Sequence, residues 1–313
     1  MKITSGLLVG AGSVGKRHAK VLEKLCDRVV VVDDKPEVAQ WVTQELAGHV
    51  SFCGDLQSAV AALGEDSERS VAVVATLGPS HHEIVTQLVN LGIRNIYCEK
   101  PLATSIADCR SLEKLAAQMN ARITVGLQRR FTGLAREIRR AGESMLGGLP
   151  TAVNAHGGAQ CLITTGTHWL DLACDLFGAV PNQVSALLSA ERINPRGTSL
   201  EMWQGGATWK FDDGRTLTMS YNNKSSADGQ VQVYFPLGRI DLNSDGTMIV
   251  FGRNMDEVAR DGRITRVGDL VERGPMDTTG LSANPVALAL EELVDGGAMT
   301  YPLRTASAVA EAA

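Results

Sequence analysis

Three glycines stand close together near the start of the chain, in the segment LLVGAGSVGKRH. Gly10, Gly12 and Gly15 follow an apolar run and precede a charged amphipathic segment, so the pattern GxGxxG falls at a predicted strand-to-helix junction. The first glycine permits a tight turn, the second lets backbone approach a pyrophosphate, and the third lets the helix pack against the strand. With Ser13 and Val14, they predict a phosphate-binding turn at the positive end of a helix dipole.

The second predicted strand, VVVVDD, indicates which nucleotide this turn binds. It ends in Asp33, whose carboxylate can accept hydrogen bonds from both ribose hydroxyls and repels a 2'-phosphate. No arginine follows, only Asp34, Lys35 and Pro36, so we predict NAD as the cofactor. Lys35 leaves NADP as an alternative, because a nearby cation tolerates a phosphate. A purely structural glycine turn is the other interpretation of the motif.

The triplet Glu99, Lys100 and Pro101 stands at the carboxyl end of the apolar run NIYCE, which we interpret as a strand. Ligands of open parallel sheets bind at this carboxyl end of the strands. A lysine at such an edge can stabilise negative charge on a ligand oxygen and exchange a proton with it. We predict that a cis bond before Pro101 aims Lys100 into the cleft. An exposed ion pair between Glu99 and Lys100 is the alternative.

Positioning these groups requires alternating strands and helices, and the first part of the chain shows that alternation. Apolar runs rich in β-branched residues recur between amphipathic segments, which is typical of a parallel sheet buried on both faces. The runs are ITSGLLVG, RVVVVD, SVAVVAT, NIYCE and RITVG. From residue 150 the pattern changes to one helix, several strand-like runs separated by turn signals, and two closing helices. We predict an α/β protein with a doubly wound Rossmann domain at 1–125, and an α+β domain with a mostly antiparallel open sheet at 126–313.

Composition argues against several classes of protein. The apolar fraction of 44% and the charged fraction of 21% are those of a globular chain, and no apolar stretch is long enough for a membrane span. A formal net charge of -5 without a basic stripe argues against nucleic acid as a partner. The six cysteines form no CxxC pair, so we expect reduced thiols and neither disulfides nor a metal site. Because we find no signal peptide, we expect a cytoplasmic protein.

Four motifs together carry a resemblance to a known family. They are GxGxxG followed by His18, ATLGPSHHEI at the end of the run SVAVVAT, the Glu99 to Pro101 triplet, and GTHWLDL later in the chain. With them the sequence resembles the glucose-fructose oxidoreductase, inositol dehydrogenase and rhizopine-catabolism family (Gfo/Idh/MocA). The resemblance implies a first domain that holds NAD or NADP, a second domain whose sheet covers a sugar-like substrate, and a homodimer or homotetramer. His18 itself we interpret as a packing residue.

The resemblance also implies catalytic roles. Lys100 matches a lysine between nicotinamide and the substrate hydroxyl, and His168 matches a histidine that transfers a proton or orients the substrate. Asp171 follows three residues later, on the same helical face as His168. Family members that oxidise inositols usually carry an aspartate where this chain has Thr164. A threonine hydroxyl cannot take a proton at neutral pH, which weakens the expectation of an inositol-like substrate.

Further residues are expected at the edges of the site. Thr76, His81 and Glu99 are expected to contact the cofactor, with His81 chosen over its neighbour on the resemblance alone. Gln128 and Arg129 begin the segment that family members use as a hinge and substrate edge, so they are expected to contact a polyol or a carboxylate. Thr164, His168 and Lys100 are also expected to bind the substrate.

Three functions stay open at this point. The first is an NAD(P)-dependent dehydrogenase that oxidises or reduces a carbinol or keto carbon of a sugar, a cyclitol or a sugar derivative. The second is a keto-sugar reductase, acting on a free or nucleotide-linked sugar, that relies on Lys100 and does not need the missing aspartate. The third is a non-catalytic NAD-binding sensor, because a fold does not determine a function.

Overall fold

The chain folds into two compact units, and the first unit is made of two segments that flank most of the second in sequence. In this computed structural model Met1–Thr132 and Ser282–Glu311 form the first unit, and Gly133–Leu281 forms most of the second. The sequence predicts one boundary, between residues 125 and 126, and the structure differs because the C-terminal segment returns to the first unit. The residues described below are 3–64, 69–158, 162, 164–192, 203–222, 224, 229–253 and 270–312.

The first unit is built on a parallel sheet with the strand order β3-β2-β1-β4-β5-β6. Its central strands are buried along their whole length, which is why they read as continuous apolar runs. The edge strand β3 was not among the predicted runs, because only its first residue is buried. The strands are β1 (Ile3–Val9), β2 (Cys26–Val32), β3 (Val50–Cys53), β4 (Ser70–Val74), β5 (Asn95–Cys98) and β6 (Arg122–Val125).

Helices connect these strands and cover the sheet, as the doubly wound prediction requires. The longer helices bury an apolar stripe, and side-chain oxygens cap two of their N-termini: Asp55 accepts from the Ser58 N–H at 2.8 Å, and Ser105 from the Asp108 N–H at 3.0 Å. The helices are α1 (Ser13–Leu25), α2 (Glu37–Glu45), α3 (Leu56–Leu63), α4 (His81–Asn90), α5 (Ile106–Met119) and α6 (Arg129–Thr132).

The C-terminal segment joins this unit through its core and through one arginine. It contains α9 (Pro285–Asp295) and α10 (Leu303–Ala312), whose apolar side chains belong to the same buried cluster as the sheet. Arg122, at the start of β6, donates to the carbonyl oxygens of Leu293 at 2.8 Å and Gly297 at 2.9 Å, near the end of α9. A cation at a helix C-terminus is favoured by the helix dipole. The first unit therefore needs residues from both ends of the described chain.

The second unit contains the mostly antiparallel sheet that the sequence predicts. Its strand order is β14-β13-β12-β11-β7-β10-β9-β8, and among the described strands of this second sheet only β7 and β10 pair in parallel. The strands are β7 (Ala152–Gly158), β8 (Gln183–Leu188), β9 (Gly205–Lys210), β10 (Thr216–Asn222), β11 (Gln230–Phe235), β12 (Gly238–Leu242), β13 (Met248–Arg253) and β14 (Leu270–Pro275). Its helices are α7 (Leu134–Met145) and α8 (Gly166–Phe177).

The two faces of this second sheet differ in polarity. Val153, Leu217 and Val233 are buried on the face that packs against α8. On the opposite face the cross-strand neighbours Thr218, Asn154 and Gln232 are polar and half-buried. Alternating burial along each strand is what a sheet with one solvated face produces.

The described cysteines are free and largely buried. Burial raises the pKa of Cys26 to about 12, and it also raises the pKa of Cys98 and of Cys109. Cys161 lies outside the described residues. No three His, Cys, Asp or Glu side chains cluster as a metal site within the described ranges. No helix in that part of the chain has both the length and the apolar character required to cross a membrane.

Candidate cofactor and catalytic site

The glycine turn, residues 10–13, connects β1 to α1 and leaves no room for larger side chains at two positions. Gly10 has φ +91°, and a Cβ there would lie 2.7 Å from Cγ2 of Thr76. A Cβ on Gly15, in the first turn of α1, would overlap the carbonyl oxygen of Gly10. These two glycines therefore serve the tight turn and the close packing of the helix on it.

Gly12, by contrast, faces open space. A Cβ on it would meet no atom within 4 Å, and its φ of -65° is accessible to any residue. It is the N-cap of α1, and neither a side-chain cap nor an acidic residue occupies the first turn of that helix. Ser13 is exposed and Val14 half-buried. The N–H groups at this helix start thus face a space that suits the negative charge of a pyrophosphate.

Asp33 lies beside the glycine turn, directly after β2. Its Oδ2 accepts the N–H of Ala11 at 2.6 Å, and its Oδ1 accepts the N–H of Lys35 at 3.0 Å. The side chain is half-buried, while Asp34 and Lys35 are exposed. A carboxylate has about four acceptor positions, so these two contacts leave capacity for the two hydroxyls of a ribose. The structure brings the predicted phosphate-binding turn and the predicted ribose-binding acid together.

Thr76 also lies at this edge, directly after the strand β4 and the residue Ala75. Its methyl group packs against Gly10, where it would contact any added Cβ. Its hydroxyl accepts from the Ser80 hydroxyl at 2.8 Å. His81, which we expected to contact the cofactor, is instead fully buried. Its Nδ1 lies 2.6 Å from the carbonyl oxygen of Pro101, and its Nε2 lies 3.1 Å from that of Thr76. The geometry therefore assigns His81 to the protein's own backbone, in place of the predicted direct contact.

The lysine turn, residues 99–101, follows β5 at the carboxyl edge of the same sheet. Lys100 is half-buried, and the bond between Lys100 and Pro101 is cis, as predicted. Glu99 points into the unit: its Oε1 lies 2.7 Å from Nε2 of His18, and its side chain is 12% exposed. The other oxygen, Oε2, accepts the N–H of Lys100 at 3.3 Å. A Cβ on Gly126 would lie 2.9 Å from this carboxylate, so a larger residue there would displace the Glu99 side chain.

His18 is the residue whose role the sequence analysis missed. We interpreted it as a packing residue, and the ring is indeed 2% exposed, but it is paired with Glu99. It also packs edge-on against Tyr97 with 5.4 Å between ring centres. The available signal was a polar residue on the apolar stripe of α1, because a buried polar group needs a partner.

Gln128 and Arg129 begin the segment after β6 that we expected to contact substrate. Both are half-buried, and Arg129 is the first residue of the short helix α6. Burial and the nearby Glu99 carboxylate raise the pKa of Tyr97 well above its usual range, and the neighbouring Gln128 opposes that shift. Gln128 therefore lies next to the buried group of Tyr97, Glu99 and His18.

The remaining candidates, Thr164, His168 and Asp171, lie in the second unit around the start of α8. Thr164 and His168 are half-buried, whereas Asp171 is 1% exposed. At about 100° per residue, His168 and Asp171 share one helical face, as expected. Gly166 and Leu170 lie on another face, where they line an apolar cavity of about 310 Å³ together with Trp203 and Trp209. Thr167 also lines that cavity, whereas His168 and Asp171 do not.

Comparison with known proteins agrees with a nucleotide-binding fold in the first unit. Residues 5–127 match the model of a family described as an oxidoreductase family with an NAD-binding Rossmann fold. Inositol 2-dehydrogenase/D-chiro-inositol 3-dehydrogenase of Shouchella clausii is 31% identical over 150 residues, which cover 47% of this chain and 42% of that protein. Inositol 2-dehydrogenase 3 of Saccharopolyspora erythraea is 27% identical over 208 residues, covering 61% of this chain and 57% of that protein. The chain thus spans about half the length of the curated relatives it matches.

Two solved structures share the whole fold. UDP-N-acetylglucosamine 3-dehydrogenase from Acidithiobacillus ferrooxidans has a TM-score of 0.73 at 17% identity, covering 98% of this chain and 94% of that one. Aldose-aldose oxidoreductase from Caulobacter crescentus has a TM-score of 0.74 at 18% identity, with the same coverage of 98% and 94%. The predicted α/β fold and the predicted NAD-binding Rossmann unit are confirmed. The match of residues 5–127 and the shared fold agree with the resemblance to the Gfo/Idh/MocA oxidoreductase family.

Proposed function

We propose that this protein is an NAD-dependent dehydrogenase or reductase that acts on a carbinol or keto carbon of a sugar, a cyclitol or a sugar derivative. The observation that carries the proposal is the position of Lys100. It lies at the carboxyl edge of the first sheet, on the same edge as the glycine turn and Asp33, in a unit matched to an NAD-binding oxidoreductase family. A cation at that edge is placed where charge develops on a reacting oxygen.

The residues of this edge fit NAD. The open space at Gly12 accommodates a pyrophosphate against the start of α1, and Asp33 has acceptor capacity for ribose hydroxyls. A 2'-phosphate would bring a second negative charge to Asp33, which favours NAD over NADP, although the exposed Lys35 beside it lessens that preference. Thr76 and Glu99 are also proposed to contribute to cofactor binding at this edge. Glu99 does so from a mostly buried position, where its carboxylate accepts the N–H of Lys100. When bound, the nicotinamide supplies or accepts the hydride.

Side chains of this protein are proposed to transfer the proton to or from the substrate oxygen. Lys100 stabilises negative charge on the substrate oxygen and exchanges a proton with it, which a partly desolvated ammonium group does readily. His168 and Asp171 are proposed to transfer a proton or to orient the substrate, with the buried carboxylate of Asp171 behind the histidine on the same helical face. Gln128, Arg129 and Thr164 are proposed to contact substrate hydroxyls.

Thr164 weakens the expectation of an inositol-like substrate. Its hydroxyl neither accepts a proton at neutral pH nor stabilises an imidazolium, whereas family members that oxidise inositols usually carry an aspartate at this position. Lys100 can exchange the proton with the substrate oxygen in either direction, so a keto sugar, free or nucleotide-linked, is the alternative substrate. Keto sugars are therefore tested beside cyclitols in the substrate panel below. The curated relatives named above are inositol dehydrogenases, which keeps cyclitols in that panel.

We also propose a cytoplasmic homodimer or homotetramer that joins subunits through the polar face of the second sheet. Leu187 supports this, because it is 87% exposed and alternates along β8 with Ala186 and Leu188, which line the cavity on the α8 side. Light scattering is expected to give a mass that is a multiple of 33.3 kDa, and Leu187→Lys is expected to shift it to the single chain. A monomeric wild type contradicts this proposal.

The proposed activity is tested by titrating the protein with NADH and NADPH and following fluorescence. The same samples then receive cyclitols, aldoses, keto sugars and nucleotide sugars. Tighter binding of NADH, together with a substrate-dependent change of nicotinamide absorbance, is the expected result. Tight binding without turnover of any compound identifies the non-catalytic sensor. Failure to bind either nucleotide contradicts the assignment of the glycine turn and Asp33.

A further inference from the structure

The lysine turn is held on both sides by buried histidines that come from different helices. His18 of α1 contacts the Glu99 carboxylate, and His81 of α4 contacts the carbonyl oxygen of Pro101. The two rings are 2% and 0% exposed, and the donor–acceptor distances are 2.7 and 2.6 Å. Lys100 is the residue between the two points of attachment. We call this arrangement, His18–Glu99 and His81–Pro101, the histidine clamp.

Each histidine also belongs to the predicted cofactor edge. His18 is carried by α1, the helix whose N-terminus forms the glycine turn. His81 contacts the carbonyl oxygen of Thr76 through its second nitrogen, and Thr76 packs beside Gly10. The clamp therefore links the residues proposed to hold the pyrophosphate and those proposed to carry the proton. Short hydrogen bonds inside a packed core transmit position well, because neither partner can relax into solvent.

We propose that His18 and His81 are positioning residues that set the location of Lys100 relative to the bound nicotinamide; this inference rests on the proposed function. Packing alone does not explain them. Leucine fills a similar volume without any need for a partner, whereas a buried imidazole is costly unless it is hydrogen-bonded. Glu99 has the same requirement, since it is mostly buried and its two oxygens face His18 and the N–H of Lys100. Gly126 leaves the space that this carboxylate occupies.

The test compares leucine with amide replacements at each histidine. His18→Leu and His81→Leu remove the hydrogen bond to the lysine turn. His18→Gln and His81→Asn keep a donor near the position of the ring nitrogen that makes it. Because a misplacement of about 1 Å can slow a reaction roughly 100-fold, we expect kcat to fall about 10- to 100-fold in the leucine variants. The amide variants are expected to recover most of that loss, and the KM for substrate is expected to change far less than kcat.

Two measurements do not depend on turnover. The dissociation constant of NADH, from fluorescence, is expected to stay within about threefold of wild type, a shift of less than 1 kcal/mol. Amide hydrogen exchange across residues 99–104 is expected to accelerate in the leucine variants and to recover in the amide variants. His82→Leu is the matched control, because His82 is the neighbour of His81, is only partly buried, and lies 3.9 Å from Asp108. It is expected to leave kcat and exchange unchanged.

The outcomes separate this inference from the proposed function. A wild type that binds NADH but turns over no substrate overturns the dehydrogenase, and with it any effect of the clamp on a reaction. Unchanged exchange over 99–104 in both leucine variants overturns the clamp itself. Equal losses of kcat in the leucine and amide variants, or a parallel loss of NADH affinity, assign the histidines to general stability and overturn the positioning role.

Discussion

Lys100→Ala is expected to lower kcat by about 10²–10⁴-fold, the usual contribution of a positioned acid or base, while NADH binding is retained. The reason is that Lys100 is proposed to act on the reacting oxygen, whereas the nucleotide is proposed to be held by the glycine turn and Asp33. The side chain is half-buried at the sheet edge, so its removal leaves the core of the unit intact. Steady-state kinetics on the best substrate of the panel, with NADH titration in parallel, measure both quantities.

Two further variants sharpen this experiment. Lys100→Arg keeps the positive charge but does not exchange a proton, so it is expected to bind substrate and remain slow. Lys114→Ala removes an exposed lysine of α5 and is expected to behave as wild type. A Lys100→Ala enzyme that keeps more than a tenth of wild-type kcat contradicts the catalytic role. Loss of NADH binding in the same variant assigns Lys100 to the cofactor.

A pair of glycine substitutions is expected to separate cofactor binding from folding. Gly12→Ala adds a methyl group into open space, so the free energy of unfolding is expected to change by less than about 1 kcal/mol. The same methyl group occupies the space proposed for the pyrophosphate, and losing a charge-assisted hydrogen bond there is expected to weaken NADH binding about 10- to 100-fold. Gly15→Ala places its Cβ onto the Gly10 carbonyl, and this overpacking is expected to lower stability by roughly 1–3 kcal/mol and to disrupt the turn.

Denaturant unfolding and NADH fluorescence titration measure the two effects on the same samples. Gly48→Ala is the matched control, because Gly48 is also exposed and a Cβ there meets nothing within 4 Å, but it lies outside the turn. It is expected to leave both quantities unchanged. A Gly12→Ala protein with wild-type NADH affinity contradicts the placement of the pyrophosphate at α1. A Gly15→Ala protein with wild-type stability contradicts the close packing of α1 on the turn.

The fold of the first unit could be predicted because local and tertiary preferences agree there. β4 and β5 are buried on both faces, so their apolar runs are unbroken and bounded by amphipathic helices. β3 was not predicted, because this edge strand is half-exposed and its sequence contains no unbroken apolar run. In the second unit the strand-like runs visible in the sequence end with GRIDLN, so β13 and β14 are not predicted. The turn before β13 is still visible in the dipeptide Asp245–Gly246.

The return of the C-terminal helices to the first unit could not be predicted. α9 and α10 have ordinary amphipathic patterns, which show that a helix buries one face but not which surface covers it. Only the structure places Leu290 and Tyr301 in the same core as the parallel sheet. The contacts from Arg122 to the carbonyl oxygens near the end of α9 join residues that are far apart in sequence.

The same distinction holds within the candidate site. The sequence by itself determined the glycine turn, Asp33 and the cis Lys100–Pro101 turn, because each depends on local backbone geometry or on the end of one strand. The tertiary structure alone decided the contact partners of His18 and His81. Their partners, Glu99 and Pro101, lie 81 and 20 residues away, and residue type does not reveal which buried acceptor a histidine faces. The hydrogen-bond partner of a buried polar side chain depends on which groups surround it, and those groups are set by how the helices pack on the sheet.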